Sequence, residues 1–396
     1  MIGAVAPAAS TSRAEVALLL RCVSVTDDAS VAEIERLSSL VSDWHRLIEL
    51  AARHAVIPLV SQRLSALRCG IVPGESLATL RSFAREGALR GLQLTAELVS
   101  VVKELERRGI DALPVKGPTL AALVYRDLSL RLYQDLDVLV HRLDVNAASR
   151  ALAELGFTPA TTFDDARDSL IRETHHAAFL NASNGILLEL HWSLSHKTIA
   201  KESLEDLWWT RRQDVELGGT SVRTLGSELL VLYLCMHGAK HSWARIGWLC
   251  DLHQTLRRFD NVEWEIVWQI ARDSGAVRMV TTGLLLVEEL LGGSPCTSRA
   301  FEKSSPDHAS RAIAAGIRRR VLESPEIVPA IDFAVQLQLR DLLRDRARYA
   351  IHILAEPWPA DVAALRLPLS LRSAYYVFRP LRLAWKRLLH RDPKAA

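Results

Sequence analysis

Residues 135–140, Asp-Leu-Asp-Val-Leu-Val, form the segment that most constrains the fold of this chain. Its side chains follow the two-residue period of a β-strand, so Asp135 and Asp137 are predicted to point to the same face of a sheet. Two carboxylates on one face repel each other unless a positive charge lies between them. The sequence therefore predicts a sheet at this point, with a compensating cation beside it.

Helical patterns flank this strand on both sides. From about residue 14 to 108, and again after Gly218-Gly219, apolar residues recur with a period near 3.6, which is typical of helices. Between these regions we predict at least four strands. They are residues 110–115, residues 135–140 and two strands around Asn184-Gly185, a pair that favours a hairpin turn. The pattern indicates an α+β fold with a small central sheet.

This pattern divides the chain into four predicted regions. They are a disordered leader (1–12), an N-terminal helical region (13–108), an α/β core (109–217) and a C-terminal helical region (218–396). The length of 396 residues is sufficient for two or three domains of ordinary size.

The composition argues against several classes of protein. A formal net charge of +3 is too small to indicate a nucleic-acid-binding protein, so nucleic acid is not expected as a partner. The five cysteines are scattered and form no Cys-x-x-Cys pair, which argues against a disulfide framework or a zinc knuckle. No apolar run of about 18 residues occurs, and the first residues lack the pattern of a signal peptide. We therefore predict a cytoplasmic protein without a membrane span.

A third carboxylate joins the two aspartates as a candidate metal ligand. Glu189 is the single charged residue in the apolar segment Ile-Leu-Leu-Glu-Leu, and on a strand it shares a face with His191. Hard cations such as Mg²⁺ prefer oxygen ligands, and two-metal sites hold the attacking and leaving oxygens of a displacement. The alternative is that Glu189 pairs with an arginine or lies on an exposed edge.

Two cationic residues lie close to these carboxylates in the sequence. Lys116, at the end of an apolar strand and before Gly117, is predicted to contact a phosphate chain. Its alternative is an ordinary solvated lysine. Arg131 is predicted either to reach a triphosphate or to pair with the aspartates. His175 and His176 lead towards the same site, and His176 and His191 are candidate substrate contacts.

A polar stripe marks residues 227–259, a segment that is apolar on most sides and is predicted to be a buried helix pair. Its members are His237, His241, Arg245, Trp248 and Asp251. The histidines and the aspartate of this stripe are candidate substrate contacts across a cleft. A satisfied hydrogen-bond network between domains is the alternative. A zinc site is not favoured because no His-Glu-x-x-His pattern is present.

Residues 113–140 carry a family resemblance. Lys-Gly, Tyr-x-Asp, an Arg and Asp-hydrophobic-Asp follow one another there, and this order resembles the uncharacterised bacterial nucleotidyltransferase family of the DNA polymerase β-like nucleotidyltransferase superfamily. The similarity extends to residues 43–64, 187–194 and 236–252. It therefore spans roughly residues 40 to 255.

The resemblance implies a small mixed β-sheet as the nucleotidyltransferase core, flanked by N- and C-terminal helical regions. It implies Asp135, Asp137 and Glu189 as catalytic, metal-binding residues, with Mg²⁺ or Mn²⁺ as the metal. ATP or another NTP would be the donor, and an acceptor would attack the α-phosphate and release pyrophosphate. The nucleotide-binding residues would be Lys116, Gly117, Thr119 and Arg131.

One departure from the superfamily pattern lies at Pro118. The superfamily places Gly-Ser before the helix that precedes the two aspartates, whereas this chain has Lys116-Gly117-Pro118. Proline offers neither a hydroxyl nor a backbone N–H. Either Lys116, Gly117 and Thr119 provide the phosphate contacts, or nucleotide binding is weakened.

The expected function is a Mg-dependent nucleotidyltransferase that transfers an NMP group to a small molecule, a peptide or a protein. A biosynthetic tailoring role fits this expectation. Two alternatives stay open. One is a catalytically degenerate module that binds a nucleotide or a peptide. The other is an RNA-modifying nucleotidyltransferase, for which the basic segment 370–396 is the supporting feature.

Overall fold

The structure is a computed structural model that describes residues 11–24, 28–68, 70–160, 175–194, 203–323, 333–355, 361, 364–365 and 374–389. The predicted disordered leader, residues 1–12, lies outside the described residues except for Thr11 and Ser12, with which the first helix begins.

Five helices form the N-terminal part of the described chain. They are α1 (Thr11–Val23), α2 (Asp28–Ser38), α3 (Trp44–Arg53), α4 (Ile57–Ser65) and α5 (Gly74–Arg107). The Asp43 side chain caps α3 by accepting a hydrogen bond from the Arg46 backbone N–H. This bond satisfies one of the N–H groups that the first turn of the helix leaves without a partner. The long α5 ends next to Gly109, which has φ +71° and lets the chain leave the helix in a left-handed turn.

A five-stranded mixed sheet forms the centre of the molecule. Its strands are β1 (Ala112–Pro114), β2 (Asp135–Val140), β3 (Phe157–Pro159), β4 (His176–Asn181) and β5 (Ile186–His191). The strand order is β1-β2-β5-β4-β3, in which β2 and β5 are parallel and the other neighbours are antiparallel. This arrangement confirms the predicted α+β class with a small mixed sheet.

In the described residues, two α-helices lie between the strands of this sheet. A short helix, α6 (Pro118–Leu120), continues as a π-helical turn, Ala121–Tyr125, between β1 and β2. Helix α7 (Val145–Glu154) follows β2. The predicted hairpin around Asn184-Gly185 is also present, because β4 and β5 pair directly on either side of it and Gly185 has φ +64°.

A second, two-stranded sheet corrects the prediction for residues 218–225. After α8 (Ser203–Thr210), strands β6 (Arg212–Leu217) and β7 (Thr220–Leu225) form a hairpin around Gly218-Gly219. Both glycines have positive φ, as hairpin turns require, and the chain does not turn helical directly after them. The predicted boundary between the α/β core and the C-terminal helical region, placed between residues 217 and 218, thus lies at the turn of this hairpin.

Helices form the rest of the described chain. They are α9 (Ser227–Lys240), α10 (Ile246–Arg258), α11 (Trp264–Ser274), α12 (Val277–Val287), α13 (Pro295–Lys303), α14 (His308–Glu323), α15 (Phe333–Gln338), α16 (Leu343–Ala355) and α17 (Tyr375–Leu389). None of the helices in the described ranges has both the length and the apolar character needed to cross a bilayer.

The two faces of the main sheet contribute to different cores. Leu136, Val138 and Val140 pack with α5 and α7 on one face. On the other face, Leu139 joins a larger core that contains both the N-terminal helices and helices α9 to α14. Because strand side chains alternate, Asp135 and Asp137 share the face of Leu139. The carboxylates therefore point towards the side on which the helical regions pack.

Buried His253 in α10 provides a test of the C-terminal core. Its side chain is 1% exposed, and neither ring nitrogen has a hydrogen-bond partner within the described part of the chain. Burial, together with the charge on Arg257, lowers its pKa to about 4. Between about pH 6.5 and pH 4, His253 is protonated in the unfolded chain but not in the folded protein. The free energy of unfolding therefore falls as the pH decreases through this range.

We expect His253→Leu to reduce the loss of stability between pH 7.5 and pH 5 by about 2 kcal/mol, because this proton no longer favours the unfolded state. Urea unfolding of both proteins at the two pH values measures the difference. The matched control is His45→Leu, which removes an exposed histidine. Equal pH dependence in the wild type and His253→Leu would contradict the prediction.

Candidate active site

The parallel pairing of β2 with β5 brings the predicted carboxylates together. Asp137 is the register partner of Glu189, so the two residues lie side by side on one face of the sheet. Asp135 and His191 share that face, since each is two residues along its strand. In the antiparallel neighbour β4, His176 is the register partner of His191. Five of the predicted site residues thus occupy adjacent positions on three strands.

Asp137 is the buried centre of this cluster. Its Oδ2 atom lies 3.0 Å from Lys116 Nζ, and its Oδ1 atom lies 3.1 Å from His191 Nε2. Burial acts to raise the pKa of Asp137, but Lys116 and His191 outweigh it and hold the pKa well below its usual range. The carboxylate is therefore ionised and compensated on both oxygens.

Glu189 and Asp135 differ in how their charges are compensated. Glu189 Oε2 lies 3.2 Å from His191 Nε2 and 3.9 Å from His176 Nε2, and the hydrogen bond from His191 lowers the pKa of Glu189. Asp135 is half-buried, and burial together with the charge on Asp137 raises its pKa. Negative charge is therefore in excess around Asp135.

Lys116 reaches Asp137 because the chain turns sharply after β1. The Val115 N–H donates to the Asp137 carbonyl oxygen at 3.2 Å, which extends the β1–β2 ladder to the residue before the lysine. Gly117 then adopts φ +60°, and a Cβ atom there would lie 3.5 Å from the Asp135 carbonyl oxygen. Burial disfavours the charged form of Lys116, but the surrounding Tyr233, Asp137 and Asp135 raise its pKa above the ordinary value.

Thr119 lies in a different environment from the one that we predicted. Its side chain is fully buried, and its Oγ1 hydroxyl donates to the Lys116 carbonyl oxygen at 2.8 Å. The hydroxyl therefore closes the turn that holds Lys116 and is not directed to an open site.

Arg131 pairs with Asp251 and not with the aspartates of β2. Its Nε and Nη2 atoms donate to the two carboxylate oxygens of Asp251 at 2.8 and 3.0 Å, and the Tyr125 hydroxyl donates to the same carboxylate at 2.8 Å. Asp251 is 3% exposed, so this contact ties α10 to the segment before β2 from within the protein. Asp251 therefore fits the alternative of a hydrogen-bond network between domains better than it fits a contact with substrate.

His237 and His241 come from α9 and the turn that follows it. Their ring centroids are 4.9 Å apart, and the ring of Trp248, on α10, lies 5.5 Å from His237 and 4.9 Å from His241. Burial and the charge on Lys116 lower the pKa of His237, and burial lowers that of His241 to about 4. Both half-buried imidazoles are therefore neutral at pH 7. The charge on Lys116 influences both rings.

Two residues of α9 were missed at the level of the sequence. Tyr233 lies four residues before His237 on the same helix face; burial raises its pKa, and the charge on Lys116 partly opposes this rise. Lys240 is exposed, but desolvation and the charge on Lys116 lower its pKa, while Glu189 and Asp137 act in the opposite direction. The four-residue spacing of Tyr233, His237 and His241 is the signal that could have identified this face.

Comparison with known proteins identifies the family. Residues 41–292 match the family described as uncharacterised nucleotidyltransferase. The chain belongs to this family. The match contains β2, β5 and the Lys116 turn, and it confirms the resemblance to an uncharacterised nucleotidyltransferase family.

A solved structure gives a weaker likeness. An antigenic nucleotidyltransferase-like protein from Paracoccidioides brasiliensis is 15% identical, with a TM-score of 0.35, over 53% of this chain and 92% of that chain. No curated protein sequence matches the chain significantly.

The arrangement of carboxylates fits a divalent cation. The pKa of Asp135 is raised by burial and by the charges on Asp137 and Glu189, and a cation among the three would relieve this repulsion. Both oxygens of Asp137 face Lys116 and His191, so a metal ion that binds Asp137 has to replace one of these partners.

The ion pair between Lys116 and Asp137 should contribute strongly to stability, because among the described residues its loss leaves the buried carboxylate with His191 as its remaining close partner. We expect Lys116→Met to lower the free energy of unfolding by about 3 kcal/mol. Lys240→Met removes a nearby exposed lysine and should change it by less than about 0.5 kcal/mol. Urea unfolding at pH 7.5 measures both, and similar losses in the two variants would refute the prediction.

The Arg131–Asp251 pair allows a second test. Asp251→Ala leaves the Arg131 guanidinium buried without a carboxylate, and we expect the free energy of unfolding to fall by about 3–5 kcal/mol. The double variant Arg131→Met/Asp251→Leu removes both charges and should regain most of that loss. Additive losses in the double variant would show that the two residues do not act as a pair.

Proposed function

We propose that the protein is a metal-dependent nucleotidyltransferase that transfers an NMP group from an NTP, with ATP as the first candidate, to a small molecule, a peptide or a protein. The observation that carries this proposal is the register of β2 with β5, which gathers Asp135, Asp137 and Glu189 on one face beside Lys116. The family membership supports the same class of reaction.

The three carboxylates would hold Mg²⁺ or Mn²⁺ as the metal cofactor. When bound, the metal would offset the charge that develops on the phosphate and align the attacking and leaving oxygens. Asp137 and Glu189, as register partners, would bind it from neighbouring strands, together with the half-buried Asp135.

When the metal is held by the carboxylates, Lys116 would contact the phosphates of the donor. Its ammonium group then stays close to the carboxylates, because the turn at Gly117 and the buried Thr119 hydroxyl hold its backbone in place. A lysine in this position supplies a compact positive charge to a triphosphate.

The acceptor would enter beside α9 and α10. His237, His241 and Trp248 offer a half-buried aromatic surface with neutral imidazoles on this side of Lys116. Such a surface suits an uncharged or aromatic acceptor group better than an anionic one. A cytoplasmic tailoring reaction in a biosynthetic route is consistent with this site.

One observation favours a second candidate function. Lys116 and His191 already compensate both oxygens of Asp137, so this carboxylate is paired without a metal ion. A protein that binds a nucleotide without transferring any part of it could retain such a cluster. This second candidate requires that nucleotide binding be independent of divalent metal.

The test is transfer of label from α-labelled ATP to candidate acceptors in the presence of Mg²⁺. We expect the wild type to transfer label, and Asp137→Asn and Asp135→Asn to reduce the rate on the order of 100-fold or more, because charge stabilisation of the transition state is lost. The exposed Asp214→Asn, on β6, is the matched control and should retain the wild-type rate.

Two results would contradict the proposal. The first is label transfer that persists in both aspartate variants. The second is ATP binding by the wild type that does not depend on Mg²⁺ and is not accompanied by transfer to any acceptor; this outcome would support the binding module instead.

A further inference from the structure

Two histidines and a glutamate form a cluster at the β4–β5 edge of the site. His176, Glu189 and His191 each offer one ligand atom, and these atoms all lie within 4.8 Å of one another. Glu189 Oε2 is 3.2 Å from His191 Nε2 and 3.9 Å from His176 Nε2. The register explains the convergence, because His176 pairs with His191 and Glu189 lies two residues before His191 on the same face.

These separations suit a small divalent ion. In tetrahedral sites the metal–ligand distances are about 2.0–2.2 Å for histidine nitrogen and carboxylate oxygen, which places neighbouring ligand atoms roughly 3.4 Å apart. The two separations between Glu189 and the histidines, 3.2 and 3.9 Å, lie on either side of this value. Small side-chain rotations would thus be sufficient to centre an ion between the three groups.

The ligand types favour a transition metal over Mg²⁺. Imidazole nitrogen is a good ligand for Zn²⁺, Co²⁺ and related ions, whereas Mg²⁺ prefers oxygen. The Nδ1 atoms of His176 and His191 are buried and have no hydrogen-bond partner in the described ranges. The polar contacts of both rings are therefore made through Nε2, the atom that faces Glu189.

We propose that His176, Glu189 and His191 bind one divalent transition-metal ion. The site goes beyond the proposed function, which needs only the carboxylates, and it shares Glu189 with them. Binding of this ion would take His191 Nε2 away from Asp137. Asp137 would keep its ion pair with Lys116. The rival explanation is that His191 is simply a protonated counter-ion between Asp137 and Glu189.

Cobalt titration of the full-length protein tests the site. After removal of bound metal with a chelator, Co²⁺ is added and visible absorption is recorded. We expect one Co²⁺ per chain with bands of a low-coordinate nitrogen–oxygen site, displaced by Zn²⁺ but not by a tenfold excess of Mg²⁺. His176→Ala and His191→Ala should each weaken Co²⁺ binding by about 10-fold or more, since each removes a ligand.

The controls separate ligand loss from misfolding. His45→Ala removes an exposed histidine of α3 and should bind Co²⁺ as the wild type does. His176 is half-buried, so His176→Gln should keep the fold, and urea unfolding without metal verifies this for each variant. Unchanged Co²⁺ affinity in folded His176→Gln, or no specific Co²⁺ binding by the wild type, would overturn the proposal and leave the counter-ion explanation.

Failure of this inference is distinguishable from failure of the proposed function. Asp135→Asn should lose nucleotidyl transfer yet retain the Co²⁺ spectrum, because Asp135 is not one of the three ligands. A wild-type protein that binds Co²⁺ through the histidines but transfers no label would refute the transferase proposal alone. A protein that transfers label with Mg²⁺ but gives no Co²⁺ spectrum would refute the histidine site alone.

Discussion

The parallel pairing of β2 with β5 is the constraint on which the site depends. It places Asp137 directly beside Glu189, two negative charges that neither strand could hold there unaided. Lys116 and His191 make the pairing tolerable, each through a short contact with Asp137. The turn after β1 and the end of β5 therefore supply the positive groups that compensate the buried carboxylate of Asp137.

The helical regions pack on the face of the sheet that carries the carboxylates. Leu139 of β2 belongs to the same core as the N-terminal helices and helices α9 to α14, so the carboxylates point towards packed helices. The contact of Arg131 with Asp251 holds α10 against the segment that leads into β2. Burial strengthens each ion pair here, because water no longer screens it, and it makes an unpaired charge more costly.

Some features of this arrangement could be predicted from local sequence, and others could not. The alternation of residues 135–140 and the Asn184-Gly185 turn report local backbone preferences, and both predictions are confirmed. The strand Thr220–Leu225 was missed, although consecutive glycines before it are themselves a hairpin signal. The partner of Arg131 was missed for a different reason: Asp251 lies 120 residues away, and no local pattern encodes that distance.

The sequence by itself determined the type of most elements, the family, and the face of β2 and β5 on which the charges lie, because these follow from residue periodicity and from motif order. The tertiary structure alone decided which charges meet. It paired Lys116 and His191 with Asp137, assigned Arg131 to Asp251, and turned two histidines towards Glu189. The physical reason is that the energy of a buried charge depends on its neighbours in space, and strand register and helix packing bring those neighbours together from distant parts of the chain.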